Sequence, residues 1–436
     1  MRAIAILFVL LATASFCHAE GIEFGSSMNP VGSGARAMGM GGAFISVADD
    51  ATAASWNPAG LIQLEKPEIS AVYSLFRRDQ EYFSETHPEI EGTNRMDALG
   101  LNYASVAYPF VAFKRNITVS VNFQRLFEMN KKIRFDYKFT DALGAEHLGR
   151  DSFIQTGSLY ALAPAIAVQI VPGLSVGGTL NIWGKGLFRE GWRINHKWSE
   201  TGMLPSGLKI RNDFEEQSRV DFSGINGNIG LLWNVYGPFT LGAVYKTPFL
   251  ADLKRTSKTA SIIWENGRYL NSEYHNWDIA YNMHIPASYG IGISYRHSDA
   301  WTVAFDLYRT EWSNFWITDD AGKKNALTGR FMSQGAPTDT TQVRLGTEYL
   351  FIKDKYVVPV RFGLFYDPEP AIKSPDDYYG FSLGTGYATE RISFDIAYQF
   401  RAGKKVDSDI ASAIPGSSAS VTQHSVLVSL IYYFGK

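Results

Sequence analysis

Hydrophobic and polar residues alternate one by one along most of this chain. Over residues 391–401, Ile392, Phe394, Ile396, Tyr398 and Phe400 fall on one face, and Ser393, Asp395, Ala397 and Gln399 on the other. Residues 301–312, 341–351 and 116–127 repeat the pattern. A period of two means strands with one apolar and one polar face. Most of these segments match or exceed the roughly 9–11 residues of a tilted membrane strand. Several end in aromatics, among them Trp301, Trp312, Tyr432 and Phe434, as the girdles of a membrane barrel require.

The connections alternate too. Residues 113–116, 171–173, 236–238, 297–300, 353–356 and 389–391 are short. Residues 77–98, 128–151, 189–218, 255–284, 313–340, 367–377 and 402–421 are long. Tight turns on the periplasmic side and long external loops produce this rhythm. It predicts an all-β, transmembrane antiparallel barrel of about 14 strands, at residues 67–436, and both chain ends then fall on the short-turn side. A secreted sandwich would not explain the asymmetry of the connections.

Composition sharpens the picture. Residues 1–19 read as a signal peptide, with Arg2 as its basic start, an apolar stretch over 3–14, and small residues before Glu20. Cleavage there removes Cys17, the only cysteine, so disulfides and thiolate metal sites drop out. A formal net charge of −2 argues against a nucleic-acid partner. No later segment reaches the length of an apolar membrane helix. With 45% hydrophobic residues, 14% aromatics and 40 glycines, this points to the outer membrane of a Gram-negative bacterium.

Fourteen strands enclose more space than wall side chains fill, so something should plug the lumen. Residues 20–66 are the candidate hatch: rich in glycine and alanine, with a dense run at 32–42 and Asp49, Asp50 and Asn57 placed to cap turns. The stretch "GARAMGMGGAFISVADDATAASWNPAGL" resembles the N-terminal hatch of the FadL/TodX family of outer-membrane transporters for long-chain fatty acids and other hydrophobic compounds. Its Ala-Asp-Asp-Ala and Asn-Pro-Ala elements carry most of the likeness. "TLGAVYKTPF" and "VPVRFGLFYDPEPAIKSPDDYYGFSLGTGYA" are similar in the same order. The resemblance implies passive uptake of hydrophobic small molecules through a plugged, monomeric barrel, set among lipopolysaccharide. The alternating last strand, ending at Phe434, resembles the signal read by barrel-assembly machinery. The alternative is a non-transporting barrel serving assembly or secretion.

The hatch candidates are Arg36, Asp49, Asp50, Asn57, Pro58 and Ala59. Trp192 and Trp198, with Met203, Leu204 and Leu208, make one long connection unusually apolar; Phe315, Trp316, Ile317, Phe331 and Met332 do the same for another. These are candidate ligand-lining residues or packing for the rim. Arg344 and Arg361, with Glu348, Asp306 and Asp395, point inward by alternation. They would meet a ligand head group, or pair with each other and the plug. No cofactor, metal or catalytic group is indicated. The pattern Gly380-Phe381-Ser382-Leu383-Gly384 mimics a nucleophile elbow but lies inside an alternating strand with no helix after it. The histidines lack ligand spacing. Asp319, Asp320, Asp376 and Asp377 read as solvated loop charge.

Overall fold

The computed structural model describes residues 24, 26–29, 32–141, 144–184, 191–318, 321–326, 335–407, 414 and 416–435. Its strands are β1 (Glu68–Phe83), β2 (Gly92–Ala112), β3 (Arg115–Glu128), β4 (Lys131–Thr140), β5 (Glu146–Val171), β6 (Leu174–Trp183), β7 (Gly191–Met203), β8 (Lys209–Tyr236), β9 (Phe239–Lys246) and β10 (Phe249–Glu265). They continue as β11 (Arg268–Ile285), β12 (Ser288–Arg296), β13 (Trp301–Thr310), β14 (Trp316–Thr318), β15 (Lys324–Asn325), β16 (Thr340–Ile352), β17 (Val357–Tyr366), β18 (Tyr378–Ala388), β19 (Ile392–Asp407) and β20 (Ser418–Tyr433).

Fourteen of these close a ring. Antiparallel pairing runs β1–β2–β3–β5–β6–β8–β9–β12–β13–β16–β17–β18–β19–β20 and returns from β20 to β1. Closure leaves no strand edge in a medium that cannot satisfy one. The two faces sort by chemistry. Leu99, Val106, Val121, Ile166, Ile291 and Leu430 are exposed on the outside, while Ser70, Ser105, Ser120, Gln124 and Ser429 are buried within.

The remaining strands extend the wall on one side. β5 has 26 residues and β8 has 28, far more than a membrane crossing needs. Their membrane halves pair with β3, β6 and β9, and their far halves with β4, β7 and β10. β10 passes to β11, and β11 to β14.

This corrects the reading of four long connections. Residues 77–98, 128–151, 189–218 and 255–284 are largely strands beyond the membrane, not loops. Both faces carry polar residues there, so alternation fades and the pattern resembles a loop. One local signal was present: Asn266-Gly267 joins β10 to β11 with both residues at positive φ (51° and 78°), the geometry of a type I′ hairpin turn. The six short connections fall where alternation placed them.

The N-terminal segment sits within the ring. It forms two short helices, α1 (Ala35–Gly39) and α2 (Ala53–Trp56), and a 3-10 turn at Pro58–Gln63. The Asn57 carboxamide oxygen accepts from Ala59 N (3.1 Å) and caps the turn, with Pro58 at its first position. Ala37, Met40, Phe44, Ala48, Trp56 and Leu61 are buried in a cluster that includes the wall residues Ala107, Ala165, Ala167 and Ala304.

Candidate functional site

The site is built from three parts: a seat holding the N-terminal segment, a buried apolar cluster beside it, and a break in the wall beside a cavity.

The seat lies on β13 and β16–β18. Gly346 and Gly363 are directly opposite each other and face inward. A Cβ on Gly346 would lie 2.2 Å from the Met40 carbonyl oxygen, and one on Gly363 would lie 2.1 Å from Gly41 N. Only glycine permits so close an approach of two backbones. Polar anchors surround the contact. The Asp306 carboxylate accepts from Phe44 N (2.6 Å) and Ile45 N (2.8 Å). The Ser382 hydroxyl accepts from Gly41 N (2.8 Å) and donates to Gly39 O (3.0 Å). Arg344 donates to Gly41 O (2.8 Å) and to the Gln342 carboxamide. On the opposite wall Asn57 donates to Leu231 O (3.0 Å) and, within the segment, to Ile45 O (2.9 Å).

Charges complete the fastening. Arg36 pairs with Asp49 (2.6 Å) and Glu348 (2.8 Å); Arg361 pairs with Glu348 (2.6 Å) and Asp395 (2.6 Å). Burial works against the Arg36 charge, yet Asp49 and Glu348 raise its guanidinium well above its ordinary value. Burial pushes the Asp50 carboxyl up, against the pull of Arg36 and of hydrogen bonds from Thr52. Of the two readings of the inward charges, the structure places Arg344 and Arg361 with the segment and with wall carboxylates.

A buried apolar cluster lies on the side of the long strands. Phe24, Phe127, Trp183, Trp192, Phe222, Phe249, Met283, Trp312, Phe315 and Ile317 form one buried cluster. Asn29 ties it to the wall: its side chain accepts from Trp312 Nε1 (2.8 Å) and Thr340 Oγ1 (2.9 Å) and donates to Asp367 (3.2 Å). Two of the candidate aromatics, Trp192 and Phe315, therefore pack in this cluster. Two do not belong to this cluster. Trp198 stacks on Phe214 (5.6 Å) across the β7–β8 pair, and Trp316 stacks on His284 (5.5 Å) beneath the Lys324 ammonium. Phe331, Met332, Asp319 and Asp320 lie outside the described residues.

The wall breaks between β2 and β3. Their ladder runs from Ala112↔Arg115 to Tyr103↔Gln124 and ends there, although β2 continues to Gly92 against β1. The register shifts at the same height in the β1–β2 pair (Val72/Tyr73) and the β3–β5 pair (Arg125/Phe127). Side chains bridge the break. Asn102 donates to Arg125 O (3.3 Å), and the Asn94 carboxamide bonds both the N–H and the C=O of Arg134 (3.0 Å each). The Arg125 guanidinium crosses Gly100 to bond the Ser74 hydroxyl, and it pairs with Glu128 (3.3 Å). Behind the break lies a cavity of about 190 Å³ bounded by Met38 and Trp56 of the N-terminal segment and by the wall.

Asp306, one of the inward charges, is bonded to the segment, and Ser382 is a strand residue whose hydroxyl is bonded to the segment's backbone. The sequence pattern does not mark Asn29 or Arg125.

A model of the outer membrane transport protein family (OMPP1/FadL/TodX) matches residues 10–433. The chain belongs to this family. That is a family of transport channels rather than of enzymes, and it does not favour a barrel that only serves assembly or secretion. A comparison with curated protein sequences finds no match. Among solved structures the fold is similar to a Pseudomonas aeruginosa FadL homologue (15% identity, TM-score 0.61, covering 94% of this chain and 100% of that one). It is also similar to the Pseudomonas putida toluene transporter TodX (15% identity, TM-score 0.55, 94% and 100%) and to the CymD monoaromatic hydrocarbon channel (17% identity, TM-score 0.56, 94% and 99%).

Proposed function

We propose that this protein lets hydrophobic small molecules cross the outer membrane passively, along the apolar lumen and then between its hatch and the β1–β3 wall. The observation that carries the reading is the coincidence of three features on one side: the buried aromatic cluster, the cavity beneath it and the broken β2–β3 ladder. Leu126 packs against the cluster and lines the cavity, so the two adjoin. The names of the similar structures, a FadL homologue and two monoaromatic channels, support a hydrophobic cargo.

The physical logic is simple. An apolar solute gains roughly 0.8 kcal/mol per buried methylene, so a greasy lumen draws it from water. Release then needs a way out into another apolar phase, and a gap in the strand ladder offers one. The hatch blocks the straight path for polar solutes. In this reading no bond is made or broken, and the chain is not an enzyme. Its last strand, β20, would be what barrel-assembly machinery reads, and its outer rim would meet lipopolysaccharide.

The test is uptake. Cells of a Gram-negative host lacking other FadL-type channels should take up a radiolabelled hydrophobic probe faster when they make this protein. Trp192→Ala should slow that gain, because it opens a void in the lumen cluster. Equal uptake with and without a correctly inserted barrel would end the transport reading.

A further inference from the structure

β4, β5, β7, β8, β10 and β11 rise beyond the membrane as one sheet, and its outward face carries positive charge that the chain leaves unpaired. Tyr160, stacked on Phe123 (5.3 Å), marks the outer end of the lipid-facing run on β5. Thr156 lies on the same face four residues further out. That is about 13 Å along the strand, and less in height because the strands tilt. Outward residues at this level stand among the headgroups of the outer leaflet.

Two rows of directly opposed residues cross the face there. The lower runs Thr156, Arg193, Arg219, Thr256 and Asp278, from β5 to β11. The upper runs Lys132, Ile154, Asn195, Gln217 and Lys258, from β4 to β10. Arg193 and Arg219 are a cross-strand pair of like charge, which destabilises a sheet unless an anion joins it. Arg219 has Asp221 beside it (2.7 Å). Arg193, Lys132 and Lys258 have no ion-pair partner among the described residues. The one carboxylate in these rows, Asp278, is taken by Lys254 (3.4 Å).

Other outward charge on this protein is neutralised in place. On the rising halves of β1 and β2, Arg77 pairs with Asp97 (2.7 Å) and Arg95 with Asp79 (2.6 Å). One row above the two, Lys197 pairs with Glu215 (2.9 Å). A shallow hollow of about 330 Å³ opens at that height, lined in part by Ser152, Ser199 and Ala260. Cations held side by side, with amides and hydroxyls among them, match a phosphorylated sugar. Guanidinium forks take phosphate oxygens in pairs, and Asn195 and Thr156 can bond sugar hydroxyls.

We propose that this outward face of β4, β5, β7, β8 and β10 binds the phosphorylated saccharide head of an outer-leaflet glycolipid, lipopolysaccharide. Arg193 and Arg219 take the phosphate, and Lys132 and Lys258 flank it. The bound phosphate relieves the repulsion between the two arginines and braces the tall side of the wall. The inference rests on the reading above that the rim meets lipopolysaccharide, gives that contact its residues, and is independent of cargo and route.

The test titrates the full-length protein in neutral detergent with a deep-rough lipopolysaccharide, the same lipid stripped of phosphate, phosphatidylglycerol and inorganic phosphate, and reads bound lipid by native mass spectrometry. The phosphorylated glycolipid should bind about tenfold more tightly than its stripped form, as two exposed charge contacts allow. Arg193→Gln with Arg219→Gln, checked as a heat-modifiable barrel, should abolish that preference. Arg95→Gln, which removes a paired arginine elsewhere on the outside, should keep it. Phosphatidylglycerol should bind no better than the stripped glycolipid, and inorganic phosphate should not displace the intact one. A preference that survives the double variant, is lost equally in Arg95→Gln or is matched by phosphatidylglycerol overturns the proposal. Displacement by inorganic phosphate overturns it too, in favour of a free-anion site. Equal binding of both glycolipids ends the phosphate site while the rim contact stands; binding of neither ends both.

Discussion

The two sides of this lumen are made differently. On β16–β18 the hatch and the wall meet backbone to backbone, over paired glycines, with Ser382, Arg344 and the Arg36–Glu348–Arg361–Asp395 chain locking the contact. On β1–β3 the N-terminal segment is held through side chains instead, with Tyr103 donating to Ala51 O (2.8 Å) and Ala35 packed with Val72; the ladder opens, and side chains stitch what backbone bonds do not. In the proposed function the first side is a mount and the second the passage, so the N-terminal segment need not leave for a solute to pass. Loosening the mount should therefore raise leak, whereas altering the passage should change uptake alone.

The largest effect is expected on the mount, from Arg361→Met. It leaves Glu348 and Asp395 buried without their shared cation, and losing one partner of a buried pair costs about 3–5 kcal/mol. The barrel should unfold at a markedly lower temperature in heat-modifiability gels, and cells should become sensitive to large polar antibiotics. An unchanged transition temperature would mean that the network is not what holds this wall together.

Next comes Gly346→Val. Its side chain would collide with the Met40 carbonyl, and overpacking of this kind costs about 1–3 kcal/mol. The strain falls on the contact and not on the strand ladder. The barrel should still form, while antibiotic leak rises. If leak stays at the wild-type level, the segment has another seat and the mount is misassigned.

Asn57→Ala is the milder version on the opposite wall. It removes the bonds to Leu231 O and Ile45 O and the cap on Ala59 N, a loss of about 1–3 kcal/mol. The variant should insert and run as a folded barrel, with a smaller rise in leak than Gly346→Val. A leak larger than that of Gly346→Val would place the main fastening at Asn57 instead.

Much of this architecture is legible in the sequence, and the reason is local. Alternation at Ile392–Phe400 or Trp301–Leu307 is decided by lipid on one face, so each strand announces itself. The N-terminal segment within the ring announces itself through its glycine-alanine run. What stays hidden is decided by pairing at a distance. The inward glycines of β16 and β17 look like ordinary strand glycines until the hatch backbone is laid over them. Arg344 and Arg361 look like head-group ligands until Gly41, Glu348 and Asp395 appear beside them. The β2–β3 break is hidden for the same reason, since neither strand departs from its alternation strongly enough to mark where the ladder ends.

The smallest effect, and the one that separates passage from mount most cleanly, belongs to Arg125→Met. Arg125 crosses Gly100 to hold Ser74 and pairs with Glu128 at the broken ladder. Methionine keeps most of the length and the apolar stem but cannot clasp Ser74. Glu128 is not abandoned, because it still accepts from Asn130 N (3.2 Å) and Ser158 Oγ (3.2 Å). The cost to folding should therefore be near 1 kcal/mol, about fivefold in an equilibrium. No mount contact is touched, so antibiotic leak should match the wild type. Uptake of a hydrophobic probe should change severalfold, rising if the clasp holds the break shut. Should Arg125→Met raise leak as Gly346→Val does, the two sides of the lumen share one fastening and the division between mount and passage falls. Unchanged uptake and unchanged leak would instead remove the β2–β3 break from the route.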